Sequence, residues 1–184
     1  MTAVEKINLT TIEEYEAMPE NERAEVINDE LKMMSSPSRV HQEILSLLHF
    51  KIYSYITQRK GGCKVFPAPF DVMLSEKPLN IVQPDIMVVC DKNKLDDKRC
   101  NGAPDFVIEI VSPSNSVYDY ITKANLYFQS GVREYWIVDP IRKTVTVNYF
   151  EDEKPNMHYT FDDEIKVNIY DDLFIDFKEV KNLL

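Results

Sequence analysis

The chain has 184 residues, 44% of them apolar, and a formal net charge of −10. That size suits one domain with a substantial core, and no stretch approaches the roughly 18 consecutive apolar residues that a membrane-spanning helix needs. The negative charge opposes tight non-specific binding to a phosphate backbone, although carboxylates gathered around a metal would add to the same total.

Residues 1–20 are polar and acidic, without the basic start and apolar centre of a secretory signal. The three cysteines, Cys63, Cys90 and Cys100, show no C-x-x-C spacing. Together these features predict a cytoplasmic protein with reduced thiols, no zinc site and no disulfide. Thr11 and Glu14 form a T-x-x-E pattern that predicts a short helix to about residue 18, broken by Pro19 and Asn21. Segments 24–27 and 31–34 flank Asn28-Asp29-Glu30 and read as an antiparallel hairpin, because Asn and Asp tolerate the left-handed turn conformation. Ser35-Ser36-Pro37-Ser38 supplies a cap and an early proline for a helix over 37–59. The stripe of that helix is His41, Ile44, Leu45, Leu48, Ile52 and Tyr55, and Gly61-Gly62 ends it. Segments 63–66 and 70–74 read as strands joined through Pro67 and Pro69. A turn over 75–80 and an apolar strand over 83–89 follow, with Asp85 at the strand entrance. Residues 91–102 are highly charged and read as a loop with a short helix.

Residues 106–111 are apolar except for Glu109, and Pro104 and Pro113 bound them, so they read as a buried central strand. A buried carboxylate needs a cation, a donor network or a raised pKa. Asp85 precedes Glu109 by 24 residues, enough chain to leave one strand and return beside it, so the two carboxylates can converge on one divalent cation. Asp105 is a poor substitute for Asp85. At about 3.3 Å per residue it lies roughly 13 Å from Glu109 along the same strand, too far for one ion to bridge with bonds of about 2.0–2.6 Å.

Ser116-Val117-Tyr118-Asp119 fits a helix start, with Val117, Ile121, Ala124 and Phe128 as its stripe and Gly131 as its C-terminal cap. Residues 134–138 are apolar on both faces and read as a second buried strand, stopped by Asp139-Pro140. Segments 144–150, 157–161, 165–169 and 173–177 are separated by acidic clusters and read as an antiparallel C-terminal meander. No repeat or linker divides the chain, so residues 1–184 read as a single domain.

Several of these residues fall into a recurring pattern: Ala24-Glu25-Val26-Ile27-Asn28-Asp29-Glu30, Pro37 with His41, Ala68-Pro69-Phe70-Asp71-Val72, Gln83-Pro84-Asp85, Glu109-Ile110-Val111-Ser112-Pro113-Ser114, Lys123 with Tyr127, and 131–140. In this order and spacing, over roughly residues 11–150, the chain resembles the Uma-two family of endonucleases, a bacterial branch of the PD-(D/E)XK nuclease superfamily. The resemblance implies an α/β (α+β mixed) fold of the restriction-endonuclease type, a central mixed β-sheet flanked by helices. It also implies phosphodiester hydrolysis assisted by Mg²⁺ or Mn²⁺. Asp85 matches the aspartate of P-D and Glu109 the acidic residue of (D/E)XK. Val111 stands where the lysine is expected, and the resemblance points to Lys123 on the following helix as its replacement. Asp29 stands where the family usually has glycine.

On this reading Asp85 and Glu109 hold the ion, with the carbonyl of Ile110 completing its shell. Lys123 orients or helps deprotonate the water, or stabilises the pentavalent state. The plainer alternative for Lys123 is an exposed pair with Asp119. Glu25 is a further ligand or a supporting acceptor, or else a solvated edge-strand residue. His41 reads foremost as a core histidine with a satisfied ring, with a supporting place beside the ligands as the other reading. Glu43 reads as solvated, and Tyr127 and Trp136 as core aromatics. The expected function is a metal-dependent endonuclease acting on nucleic acid, with DNA as the expected substrate, in a homodimer formed through the C-terminal strands. The alternative is a catalytically inactive nuclease-fold protein that serves as a nucleic-acid-binding or dimeric interaction module, which the acidic charge and Val111 keep open.

Overall fold

The computed structural model describes residues 10–19, 21–112, 117–151 and 156–184, the side chains of 117–119 excepted. α1 (Ile12–Glu16) begins at the expected capping box: Glu14 N–H donates to Thr11 Oγ1 at 3.3 Å and Thr11 N–H to the Glu14 carboxylate at 2.9 Å. β1 (Ala24–Ile27) and β2 (Glu30–Met33) form the hairpin. Asn28 and Asp29 both take left-handed backbone, with φ of 52° and 66°, the two-residue turn whose twist matches that of the flanking strands. Asp29 is tied down as well: its N–H donates to the Leu79 carbonyl at 3.0 Å, and its Oδ1 accepts the Leu79 N–H at 2.6 Å.

α2 (Arg39–Gln58) is capped by Ser38, whose hydroxyl accepts the His41 N–H at 3.2 Å, so Pro37 sits before the cap and not in the first turn. The helix buries His41, Ile44, Leu45, Leu48, Ile52 and Ile56 on one face. β3 (Lys64–Pro67), β4 (Asp71–Glu76), β5 (Leu79–Val82), β6 (Ile86–Val89) and β7 (Arg99–Asn101) follow. The expected turn over 75–80 is in fact two strand ends around Lys77-Pro78. β5 hides in the sequence because Gln83-Pro84 splits what looks like one apolar run. β8 (Phe106–Ile110), α3 (Val117–Ser130), β9 (Glu134–Asp139), β10 (Thr144–Tyr149), β11 (Met157–Thr160), β12 (Glu164–Lys166), β13 (Phe174–Asp176) and α4 (Lys178–Lys181) complete the chain.

Six strands form a mixed sheet in the order β11-β10-β9-β8-β6-β3, with β8 and β9 parallel across α3 and the other pairs antiparallel. A second, five-stranded sheet runs β2-β1-β5-β4-β7. The C-terminal meander divides: β10 and β11 extend the six-stranded sheet, while β12 and β13 pair with each other. One face of the large sheet, with Phe106, Ile108 and Trp136, packs on Ile44, Leu48 and Ile52 of α2 and on Phe161, Phe177 and Val180. The other face, with Met87, Val107 and Tyr135, packs on Val72 and Val82 of the second sheet and on Tyr127 of α3. Strand alternation puts Glu109 on the face of Val107, and Asp85 on the face of Met87. Both carboxylates therefore point into the layer between the two sheets and α3.

Two expectations are corrected. The predicted stripe of α3 is not its buried face: Ile121 and Phe128 are 57% and 59% exposed, while Tyr120, Lys123 and Tyr127 are buried. Periodicity fails here because a lysine occupies the centre of the inward face, neutralised by carboxylates from other strands. Residues 113–116, including the proposed cap Ser116, lie outside the described residues; Gly131 closes α3 with φ 88°, as expected. The second correction concerns the thiols. Cys63 and Cys90 form a disulfide, leaving Cys100 free and buried. The pairing of Lys64 with Val89 sets Cys63 opposite Cys90 one step further on, a cross-strand relation that linear spacing does not display.

Asp29 offers a test of this frame. Asp29→Ala removes the side-chain bond to the Leu79 N–H and keeps a Cβ in left-handed backbone, so it should cost about 2–3 kcal/mol in urea unfolding. Asp29→Gly relieves the backbone and should cost less, by about 1 kcal/mol. Equal stabilities for the two variants would refute the account.

Candidate active site

The Ile86–Ile108 pairing of β6 with β8, continued by one residue, sets Asp85 across from Glu109. Asp85 Oδ2 accepts the Ile110 N–H at 2.7 Å and lies 3.1 Å from Nε2 of His41. A carboxylate only accepts, so His41 donates through Nε2. His41 Nδ1 is buried and has no partner among the described residues. The histidine read foremost as a satisfied core residue is thus part of the site, reaching Asp85 from the first turn of α2.

Glu109, at the C-terminal end of β8, places one oxygen, Oε1, against two donors: Lys123 Nζ at 2.9 Å and the Tyr127 hydroxyl at 2.8 Å. Lys123 Nζ also donates to Glu25 Oε1 at 2.8 Å, and that oxygen accepts the Gln83 N–H at 3.0 Å. Glu25 comes from β1, which lies between β2 and β5, so it is an interior residue and not a solvated edge. The side chain of Asp119, the alternative partner of Lys123, lies outside the described residues.

The electrostatics follow from this crowding. Burial pushes Glu109 up to about 7; the adjacent Lys123 opposes the shift, while Asp85 and Glu25 reinforce it. Burial alone would lower the pKa of Lys123, but the Glu109 and Glu25 carboxylates overcome it and hold the ammonium above its usual value. Donating to both carboxylates, Lys123 is held in place as an ammonium. Tyr127, buried and beside Glu109, is raised well above the usual tyrosine value and stays a hydroxyl donor.

Each of the three carboxylates commits one oxygen to two donors. No donor among the described residues reaches the other oxygen: Oδ1 of Asp85, Oε2 of Glu109 or Oε2 of Glu25. All three residues line one cavity of about 260 Å³, together with His41, Ile110 and Lys123. Three carboxylates gather around the Lys123 ammonium, with Arg23 and Lys32 the other cations of the lining; a divalent cation would relieve the crowding of the carboxylates. Among the described residues no group of three or more His, Cys, Asp and Glu side chains is drawn tightly enough to enclose an ion. The residues that could hold an ion are fewer: Asp85 and Glu109, with the Ile110 carbonyl expected beside them. Such a set suits Mg²⁺, which is bound by one or two carboxylates and keeps several waters.

Other residues sort clearly. Asp105 is a structural acceptor, taking the Cys90 N–H at 2.7 Å and Arg133 Nη1 at 3.3 Å. Glu43 is half-buried and pairs with Arg39 one turn before it. Trp136 is core, its indole N–H donating to Glu134 at 2.7 Å. The reading of Tyr127 as core missed its hydroxyl contact with Glu109, although its place one turn after Lys123 was a usable signal. The Gln83 N–H that holds Glu25 is a backbone group, and nothing in the sequence marks it.

Two outcomes follow for stability in the presence of a chelator. Glu109 has a folded-state value of about 7 against an ordinary 4.5. In that interval the unfolded chain binds fewer protons than the folded one. The stability contributed by Glu109 is complete below about 4.5 and is lost as pH rises through about 7. Glu109→Gln should lack this fall, seen by urea unfolding at a series of pH values; a parallel fall in the variant would count against it. Lys123→Met leaves buried carboxylates unpaired and should cost about 3–5 kcal/mol at pH 8. The loss should shrink at pH 5.5, where Glu109 takes up a proton, and an unchanged loss would contradict the pairing.

A search of curated proteins returns no match. Among solved structures, the chain is similar to a protein described as "a putative nuclease belonging to DUF820" from Anabaena variabilis ATCC 29413. The TM-score is 0.78 at 20% identity, over 94% of this chain and 98% of that one. At that identity the likeness shows the fold, the mixed α/β architecture of restriction-endonuclease type. A family described as "Putative restriction endonuclease" matches residues 12–170. The match takes in all of the strands and helices that build the cavity, and the chain belongs to this family, Uma2.

Proposed function

We propose that the chain is a metal-dependent endonuclease that hydrolyses phosphodiester bonds of DNA. One observation carries the reading: Asp85, at the entrance of β6, and Glu109 on the neighbouring β8 each keep an oxygen that no donor among the described residues reaches, in a cavity with the Lys123 ammonium. Asp85, Glu109 and the Ile110 carbonyl would hold Mg²⁺ or Mn²⁺. When bound, the ion supplies positive charge for the phosphate and acidifies a water.

The protein's own groups do the rest. His41 and the Ile110 N–H grip Oδ2 of Asp85, which fixes how the carboxylate is presented. Tyr127 and Lys123 do the same for Oε1 of Glu109. Glu25 holds the other side of the Lys123 ammonium, which is placed to orient a water or to stabilise charge on the phosphate. Val111 can do neither, and the buried ammonium of Lys123 meets Glu109 from the helix instead. We place the chain in the cytoplasm, where a nucleic-acid substrate is met. We place the homodimer contact at the C-terminal strands, where β11 is an edge of the large sheet.

The test is cleavage of plasmid and single-stranded DNA with Mg²⁺ or Mn²⁺. Asp85→Asn should abolish it. Lys123→Met should lower single-turnover rates by about 10²–10⁴-fold at saturating metal, the range for a positioned catalytic group. Equal cleavage by wild type and Asp85→Asn would reject the assignment.

A further inference from the structure

Arg23 lies just before β1, and its carbonyl accepts the Met34 N–H at 2.8 Å, so its backbone continues the β1–β2 pairing. Arg23, Glu25 and Ile27 are alternate residues of this segment, and all three line the cavity that holds Asp85 and Glu109. Strand alternation accounts for their shared face.

The guanidinium is held from behind. Nε of Arg23 donates to Gln83 Oε1 at 2.9 Å. The same amide donates through Nε2 to Asp71 Oδ1 at 2.9 Å, and that oxygen accepts the Tyr15 hydroxyl at 3.1 Å. The chain Arg23–Gln83–Asp71–Tyr15 thus joins α1, β4 and the approach to β6, and it fixes one edge of the fork. No acceptor among the described residues meets Nη1 or Nη2. Lys123, by contrast, divides its ammonium between Glu25 and Glu109.

A polyanion entering this cavity meets three carboxylates. It needs a cation that is not already spent on them, and it needs directional donors. A guanidinium edge matches two phosphate oxygens and loses little freedom when its other edge is already anchored.

We propose that Arg23 is the phosphate-binding residue of this cavity, its Nη1 and Nη2 taking the oxygens of a phosphodiester in a nucleic-acid strand, and that Gln83 is the positioning residue that aims it. The proposal rests on the nuclease reading for its substrate. Arg23 grips the strand beside the site of reaction and forms and breaks no bond.

The experiment measures binding of fluorescently labelled single- and double-stranded DNA with Mg²⁺ as salt is varied. It uses an Asp85→Asn background, so that the probe stays intact. Adding Arg23→Ala should weaken binding about ten- to a hundredfold and reduce the slope of log K against log salt by about 0.7–0.9, the loss of one phosphate contact. Arg23→Lys should restore the slope and only part of the affinity. Gln83→Met, which leaves the charge in place, should keep the slope and weaken binding. With Asp85 intact, Arg23→Ala should raise KM and change kcat little.

An unchanged slope and affinity in Arg23→Ala, in a protein that cleaves DNA, would overturn the proposal and leave the nuclease reading standing. Loss of slope in Arg23→Ala, where the wild type binds and never cleaves, would keep Arg23 as a phosphate ligand and reject catalysis. No binding by any variant would reject both. Equal loss in Arg23→Ala and Arg23→Lys with the slope unchanged would mark Arg23 as structural and also overturn the proposal.

Discussion

A lysine ammonium buried between two carboxylates from different sheets is the constraint on which the site depends. Lys123 is 7% exposed and meets Glu109 on β8 and Glu25 on β1. An unpaired charge at that depth would be prohibitive, and even a paired one gains little net stability over an apolar substitute. Its position makes sense as architecture for chemistry. The ion pairs fix α3 over the C-terminal end of β8 and bring β1 of the five-stranded sheet to the same point. The cavity opens where the two sheets and two helices meet.

Around that pair, the hydrogen bonds divide the carboxylates by atom. Asp85, Glu109 and Glu25 each turn one oxygen to the protein and leave the other without a donor among the described residues. An oxygen that accepts two donors resists rotation, so the remaining oxygen is held in place without being used up. This is preorganisation achieved with backbone N–H groups, one imidazole, one phenol and one ammonium. Burial raises Glu109, and Asp85 and Glu25 reinforce it; the same carboxylates would draw a divalent cation and repel a polyanion, so a substrate of that kind needs a cation of its own at the rim.

The second sheet serves the same end. Its β1–β5–β4 core is apolar, with Val26, Ile81 and Val72 fully buried, yet the end nearest the large sheet carries Arg23, Glu25, Asp71 and Gln83. Those groups bond to one another, to Tyr15 of α1 and to Lys123 of α3, so much of their burial cost is shared. The left-handed Asn28-Asp29 turn, clamped to Leu79, holds the hairpin in register and with it the face on which Arg23 and Glu25 stand.

Much of this was legible in the sequence. A carboxylate inside an apolar strand must have a reason to be there, and that single rule located Glu109. The same rule applied to a strand entrance located Asp85. Cap and turn chemistry placed α1, the β1–β2 hairpin and α2, because those signals act over a few residues. Three features depended on tertiary structure. The inward face of α3 could not be found by periodicity, since Lys123 becomes a core residue only when Glu109 of the preceding strand and Glu25, 98 residues away, meet it. Cys63 and Cys90 meet only through the register of β3 with β6. His41 and Gln83 gain their roles from Asp85 and Glu25, partners 44 and 58 residues distant. Residue type and local pattern determine which groups require a partner; the packing of two sheets and α3 decides which partner each one receives.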